Sequence, residues 1–186
     1  MNRPTMPWAA GAVAVVLLTL ASTAVLVGIR HPSGDVLAQA PASCEPTHPS
    51  GAVIQVQLDD ASGGMMGGGS PAMVRLTASP SSVIGTEFTF VATNEGALNH
   101  ELVILPAPAD GPGTRTVGTD GKIDESSSLG EASRTCGQGT GAGITPGGRS
   151  WVTVSLKPGS YELVCDIPWH YANGMFTLIR VTLPTS

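Results

Sequence analysis

S-W-V-T-V-S-L-K-P-G-S-Y-E-L-V-C, residues Ser150 to Cys165, alternates apolar and polar side chains up to a Pro-Gly pair and then resumes an apolar run. Val152, Val154 and Leu156 fall on one face, the period of a half-buried strand. Pro158-Gly159 is a turn pair, and Tyr161–Cys165 follows it directly, so the stretch reads as a hairpin. Upstream the same period recurs. Ile54, Val56 and Leu58 oppose Gln55 and Gln57; Val74 and Leu76 oppose Met73, Arg75 and Thr77. Phe88, Phe90 and Ala92 alternate with Thr89, Val91 and Thr93, and His100–Leu105 is a run of buried character. Downstream, Met175–Leu183 makes the last strand. Roughly seven strands with little helical periodicity predict an all-β domain, a two-sheet antiparallel β-sandwich. Two stretches interrupt the rhythm. Ser62–Ser70 is a Gly-rich loop. The segment from Pro106 to Arg149 is long enough to carry a function or structure of its own, and a short helix over Ile123–Ser133 is compatible with its residues but not required by them.

The amino-terminal part differs. Trp8 to Ile29 is apolar and uncharged, long enough to cross a bilayer core of about 30 Å as a helix. Ala38-Gln39-Ala40 has small-residue cleavage character, but Pro41 fixes the backbone where a peptidase needs an extended site. Pro-Ala-Ser ahead of Cys44 does not favour a lipid anchor there. Residues 1–30 are therefore read as a membrane anchor, or a signal segment if cleaved, 31–50 as a flexible linker and 51–186 as one domain, placed outside the cytoplasm. Arg3 before the span and Arg30 and His31 after it leave the orientation open on charge alone. The formal net charge is −5 with no basic cluster, which argues against a nucleic-acid partner. Three cysteines are an awkward number for an oxidising compartment. If Cys44 and Cys136 pair, Cys165 remains as a thiol with another task.

That task is legible in Y-E-L-V-C-D-I-P-W-H-Y-A-N-G-M, residues 161–175. Cys165 ends a strand, His170 follows five positions on, and Met175 five beyond that. Asn173-Gly174 supplies a turn that swings Met175 back towards Cys165 and His170, with glycine tolerating φ > 0. His100, in N-H-E, opens an earlier strand. Two imidazoles, one thiolate and a weak thioether are the ligand set of blue copper, a trigonal arrangement intermediate between the preferences of Cu(I) and Cu(II).

At these residues the chain resembles the cupredoxin family, with the Cys–His–Met spacing of its rusticyanin, auracyanin and sulfocyanin branch. The resemblance covers roughly residues 53–182 and implies a Greek-key sandwich with mononuclear copper at one end. It implies His100, Cys165, His170 and Met175 as ligands. Two positions depart from the family's pattern: Glu101 stands where Asn or Ser commonly follows the first histidine, and Trp169 where Gly commonly precedes the second. Asn99 is the candidate to pin the ligand loop in place of residue 101.

Zinc accepts a cysteine and two histidines but gains little from Met175, so it ranks second. The four histidines are His31, His48, His100 and His170, too few for a trinuclear cluster, and a binuclear centre lacks its second cysteine. These counts predict a carrier rather than an enzyme: a copper protein passing single electrons between redox protein partners at or outside the membrane. Copper delivery or storage is the alternative. Met65 and Met66 read as ordinary loop residues, with Cu(I) loading as their functional alternative. Trp169 is divided between partner docking and packing, and Asp166 and Glu101 read as solvated charges.

Overall fold

In the computed structural model, residues 44–46, 48–61 and 73–183 are described. The apolar stretch 8–29, most of the linker, and the loop with Met65 and Met66 lie outside the described residues. Side chains that alternate in sequence alternate in burial. In β1 (Ala52–Ala61) Ile54, Val56 and Leu58 are buried and Gln55 and Gln57 exposed; in β2 (Met73–Ser79) Val74 and Leu76 turn inward. The remaining strands are β3 (Ser82–Ile84), β4 (Glu87–Asn94), β5 (Leu102–Pro106), β6 (Gly130–Arg134), β7 (Gly139–Gly143), β8 (Arg149–Ser155), β9 (Gly159–Val164) and β10 (Phe176–Thr182). They form a four-stranded sheet in the order β2-β1-β4-β8 and a six-stranded sheet in the order β3-β10-β9-β5-β6-β7. Apolar side chains of both sheets meet in one cluster, with Phe88, Phe90, Ile54, Leu58, Leu102 and Ile104 fully buried. Each contributes about 1.5–3 kcal/mol relative to exposure.

The sandwich is not purely antiparallel. β1 pairs parallel with β4, β3 with β10 and β6 with β7, the other pairings being antiparallel. Period two specifies which face of a strand is apolar but not the direction of its neighbour, so the sequence pattern is silent on this point. Nor do β8 and β9 form a hairpin. β8 pairs with β4 in one sheet, while both edges of β9 are taken by β10 and β5 in the other. Residues 161–164 of β9 are buried on both faces, Tyr161 and Leu163 in the sandwich core and Val164 in a second cluster with Val103, Leu105, Ile123 and Tyr171. The chain instead arches over the core: Leu156 is buried and donates its N–H to Thr86 O at 2.9 Å, and the Tyr161 hydroxyl donates to Lys157 O at 2.7 Å.

Thr89 and Val91 are buried as well, because β4 is covered on its outer face. Thr89 Oγ1 lies 2.8 Å from Ser50 O and 2.8 Å from Thr153 Oγ1. The segment ahead of β1 is tied down further by a Cys44–Cys136 disulfide with a Cα–Cα distance of 4.7 Å and by a Glu45–Arg149 ion pair. Cys165 is the free cysteine. Within the long connection, Ile123–Ser133 is not helical: Ser128 N–H bonds Glu125 O as a turn, and Gly130–Arg134 is β6, aligned on β5. Among the described residues the helical structure is one 3-10 turn, Tyr171–Asn173.

Candidate metal centre

Four sequence positions are brought to one end of the sandwich by two connections, β4–β5 and β9–β10. His100 stands just before β5, held by a two-way backbone bridge to Ile144 (N–O distances 3.2 and 2.6 Å). Cys165 follows β9, and its N–H bonds Met175 O at 3.0 Å, closing the β9–β10 hairpin around residues 166–174. His170 opens the 3-10 turn. Gly174, at φ 92°, ends that turn with its N–H on Tyr171 O, the left-handed conformation expected of Asn173-Gly174. Met175 N–H then bonds His170 O at 3.1 Å. Met175 is wholly buried in the same apolar cluster as Cys165.

The donor atoms converge. His100 Nδ1 lies 3.2 Å from His170 Nδ1, and Cys165 Sγ lies 3.4 Å from His170 Nδ1 and 4.0 Å from His100 Nδ1. A triangle with these sides has its equidistant point about 2.1 Å from each corner, within the roughly 2.0–2.3 Å at which imidazole and thiolate bind a first-row ion. His100 and Cys165 are fully buried and His170 is 9% exposed. Two imidazole nitrogens and a sulfur facing one point in a buried site need a proton or a metal ion between them. The donor set of soft sulfur and borderline nitrogen fits copper.

The residues around the donors fix their chemistry. His100 Nε2–H donates to Asp60 Oδ1 at 2.8 Å, which leaves Nδ1 as the free lone pair aimed at the centre. Asp60 is buried at the end of β1, and the same oxygen accepts Ala97 N–H and Leu98 N–H at 2.8 and 3.0 Å. Burial alone would raise its carboxyl, but the Leu98, His100 and Ala97 bonds outweigh it and hold the pKa below the usual value. Gly96 completes this packing: a Cβ there would fall 1.8 Å from Asp60 Oδ1. Glu101 N–H donates to Cys165 Sγ at 3.3 Å, but burial pushes the thiol up to about 12. Burial also depresses His170, with His100 adding to the effect.

Asp60 was not among the expected site residues. Its signal in the sequence is parity: an acid on the same register as Ile54, Val56 and Leu58 faces the core and must have a partner. Asn99 donates from Nδ2 to Ala142 O at 3.2 Å. The loop before His100 is held instead by Asn94, whose Nδ2 donates to Leu98 O and Ile144 O, both at 2.7 Å. Glu101 and Asp166 are not solvated; they are 5% and 1% exposed, since each follows a donor into a strand or loop at the interior of the six-stranded sheet. Trp169 is 54% exposed; its N–H bonds Gly121 O at 2.8 Å, and its ring lies over Gly121, where an added Cβ would fall 2.8 Å from Cε2. Its φ of 72° explains why glycine suits that position, since a left-handed backbone strains a side chain with a Cβ.

An all-β sandwich with a His-Cys-His cluster between strand ends defines a cupredoxin. A profile of the sulfocyanin (SoxE) domain matches residues 80–185, and the chain belongs to that family. Solved structures similar to it include rusticyanin from Thiobacillus ferrooxidans (20% identity, 72% of this chain and 79% of that one, TM-score 0.39). Auracyanin from the photosynthetic bacterium Roseiflexus castenholzii is also similar (20% identity, 71% and 99%, TM-score 0.42), as is auracyanin B (18% identity, 74% and 93%, TM-score 0.44). A search of the curated proteins finds no match.

Proposed function

We propose that the chain carries one copper ion on His100, Cys165 and His170, with Met175 as a weak fourth donor, and relays single electrons between redox proteins outside the cytoplasm. The observation that carries this reading is the convergence of three donors, 3.2–4.0 Å apart, in a buried site. When bound, copper supplies the one-electron couple. The protein's part is to keep the donors still. His100 is clamped by Asp60 and Ile144, Cys165 by the Met175 carbonyl and Glu101 N–H, and His170 by its N–H to Ile167 O at 2.9 Å. Donors tied to backbone on both flanks have little room to rearrange between oxidation states. His170, the donor nearest solvent and neighbour to exposed Trp169, is the exit toward a partner. Burial of the donors disfavours copper delivery, which calls for exchangeable ligands. The disulfide suits an oxidising compartment, and anchoring by residues 1–30 completes the proposal.

The test is the visible and paramagnetic spectrum of the Cu(II)-loaded protein, followed by rapid-mixing reduction. An intense sulfur-to-copper band that bleaches on reduction and returns on oxidation is expected. A colourless complex sinks the reading.

Two further results follow. Met175→Gln lowers the reduction potential while copper and colour persist, because an oxygen donor favours Cu(II). Met175→Leu raises it. Equal potentials in all three proteins reduce Met175 to core packing. Asp60→Asn removes a buried charge hydrogen-bonded to His100, so Cu(II) affinity falls about 10–100-fold and the potential rises. Unchanged competition against a chelator assigns Asp60 to loop capping alone.

A further inference from the structure

Behind the copper donors lies a second set of ligating groups. One carboxylate oxygen each from Glu101, Glu125 and Asp166 lies within 4.8 Å of the others. Glu101 follows His100 and Asp166 follows Cys165, so both copper-side strand ends place an acid there. Glu101 is 95% buried by its 5% exposure, and its Oε1 has no hydrogen-bond partner among the described residues. An orphaned buried carboxylate oxygen costs at least ~1–3 kcal/mol. Asp166 Oδ1 accepts Ile123 N–H at 2.7 Å, which anchors the loop bearing Glu125. The positive charge present is Lys122, with Nζ 3.6 Å from Asp166 Oδ2 and a half-exposed side chain. Glu131 adds negative potential at Glu101. Three carboxyl groups thus face one ammonium among the described residues.

We propose that Glu101, Glu125 and Asp166 bind one hard divalent cation, of the calcium or manganese type, which electrostatically tunes the copper centre. Oxygen-only donors select such ions over copper and zinc. The 4.8 Å spread is about twice the 2.3–2.6 Å of a calcium–oxygen bond. The cation supplies the partner that Glu101 Oε1 lacks. Coupling to copper runs through one peptide unit on each side, and through the Glu101 N–H that donates to Cys165 Sγ. Positive charge there favours Cu(I), so the cation raises the reduction potential, and by linkage reduction tightens cation binding. The tuning rests on the copper reading; cation binding itself does not.

The experiment titrates Mn²⁺ into the Cu(I) protein and reads loss of the free-ion paramagnetic signal. One Mn²⁺ per chain is expected, weakened at least about tenfold by Glu125→Gln, since loss of even an outer partner costs that much. Glu125 is half-exposed on a loop, so the fold tolerates the change. Cys165→Ser should retain Mn²⁺ binding, which separates this site from the copper reading. Saturating Mn²⁺ should raise the potential of the wild-type protein but not of Glu125→Gln. No depletion by the wild-type protein, or equal depletion by Glu125→Gln, overturns the site. Depletion with an unmoved potential overturns the tuning.

Discussion

Cys165→Ser, loaded with Cu(II), will lose the intense visible band entirely. The sulfur is the donor for that charge transfer, and the remaining groups, His100, His170 and Met175, offer no thiolate. The fold should survive. Serine is nearly isosteric, and the Glu101 N–H that meets Cys165 Sγ at 3.3 Å can meet a hydroxyl, so the stability change stays within about 1–2 kcal/mol. The same pair of proteins gives a second readout. Burial pushes the Cys165 thiol up to about 12, so at pH 7 the copper-free chain carries its proton and copper must displace it. Loading the wild-type protein in weak buffer therefore releases about one proton per copper ion, and Cys165→Ser none. A variant that keeps the band places the thiolate ligand elsewhere or denies it.

Replacing both Cys44 and Cys136 by alanine should cost the most stability of any change considered. The cross-link joins residues 92 apart, and closing a loop of that length removes about 4–5 kcal/mol of chain entropy from the unfolded state on the chain-entropy model. Urea denaturation checks it: the midpoint should fall by about 2 M if the slope is near 2 kcal/mol/M. A loss below about 1 kcal/mol would mean that the Glu45–Arg149 pair and the Ser50–Thr89 bond already hold the segment.

What the sequence discloses is set by what periodicity encodes. The inward faces of β1, β2, β4 and β8 are readable because each strand keeps period two against one core. Cys165, His170 and Met175 are readable because one loop carries them. Partner choice is not so encoded. Pro158-Gly159 looks the same whether the chain folds back as a hairpin or crosses to the other sheet, and only the pairing of β9 with the distant β5 and with β10 decides it. Long-range pairs are hidden likewise: Asp60 and His100 are 40 residues apart and meet because β1 lies parallel to β4. Glu101 and Asp166 follow donor residues and look like surface charges until β5 and β9 prove to be interior strands.

The arch between β8 and β9 also bears on how the molecule assembles. With no β8–β9 hairpin available, the chain around the thiolate has one local route to order, the β9–β10 hairpin, which gathers Cys165, His170 and Met175 within eleven residues. His100 joins only when β5, some sixty residues away, aligns on β9; such distant pairings form late because loop closure must precede them. A copper ion met early would thus find three donors already grouped and would wait for the fourth. Refolding with the metal present should then be faster than refolding without it, the ion helping to draw β5 onto β9.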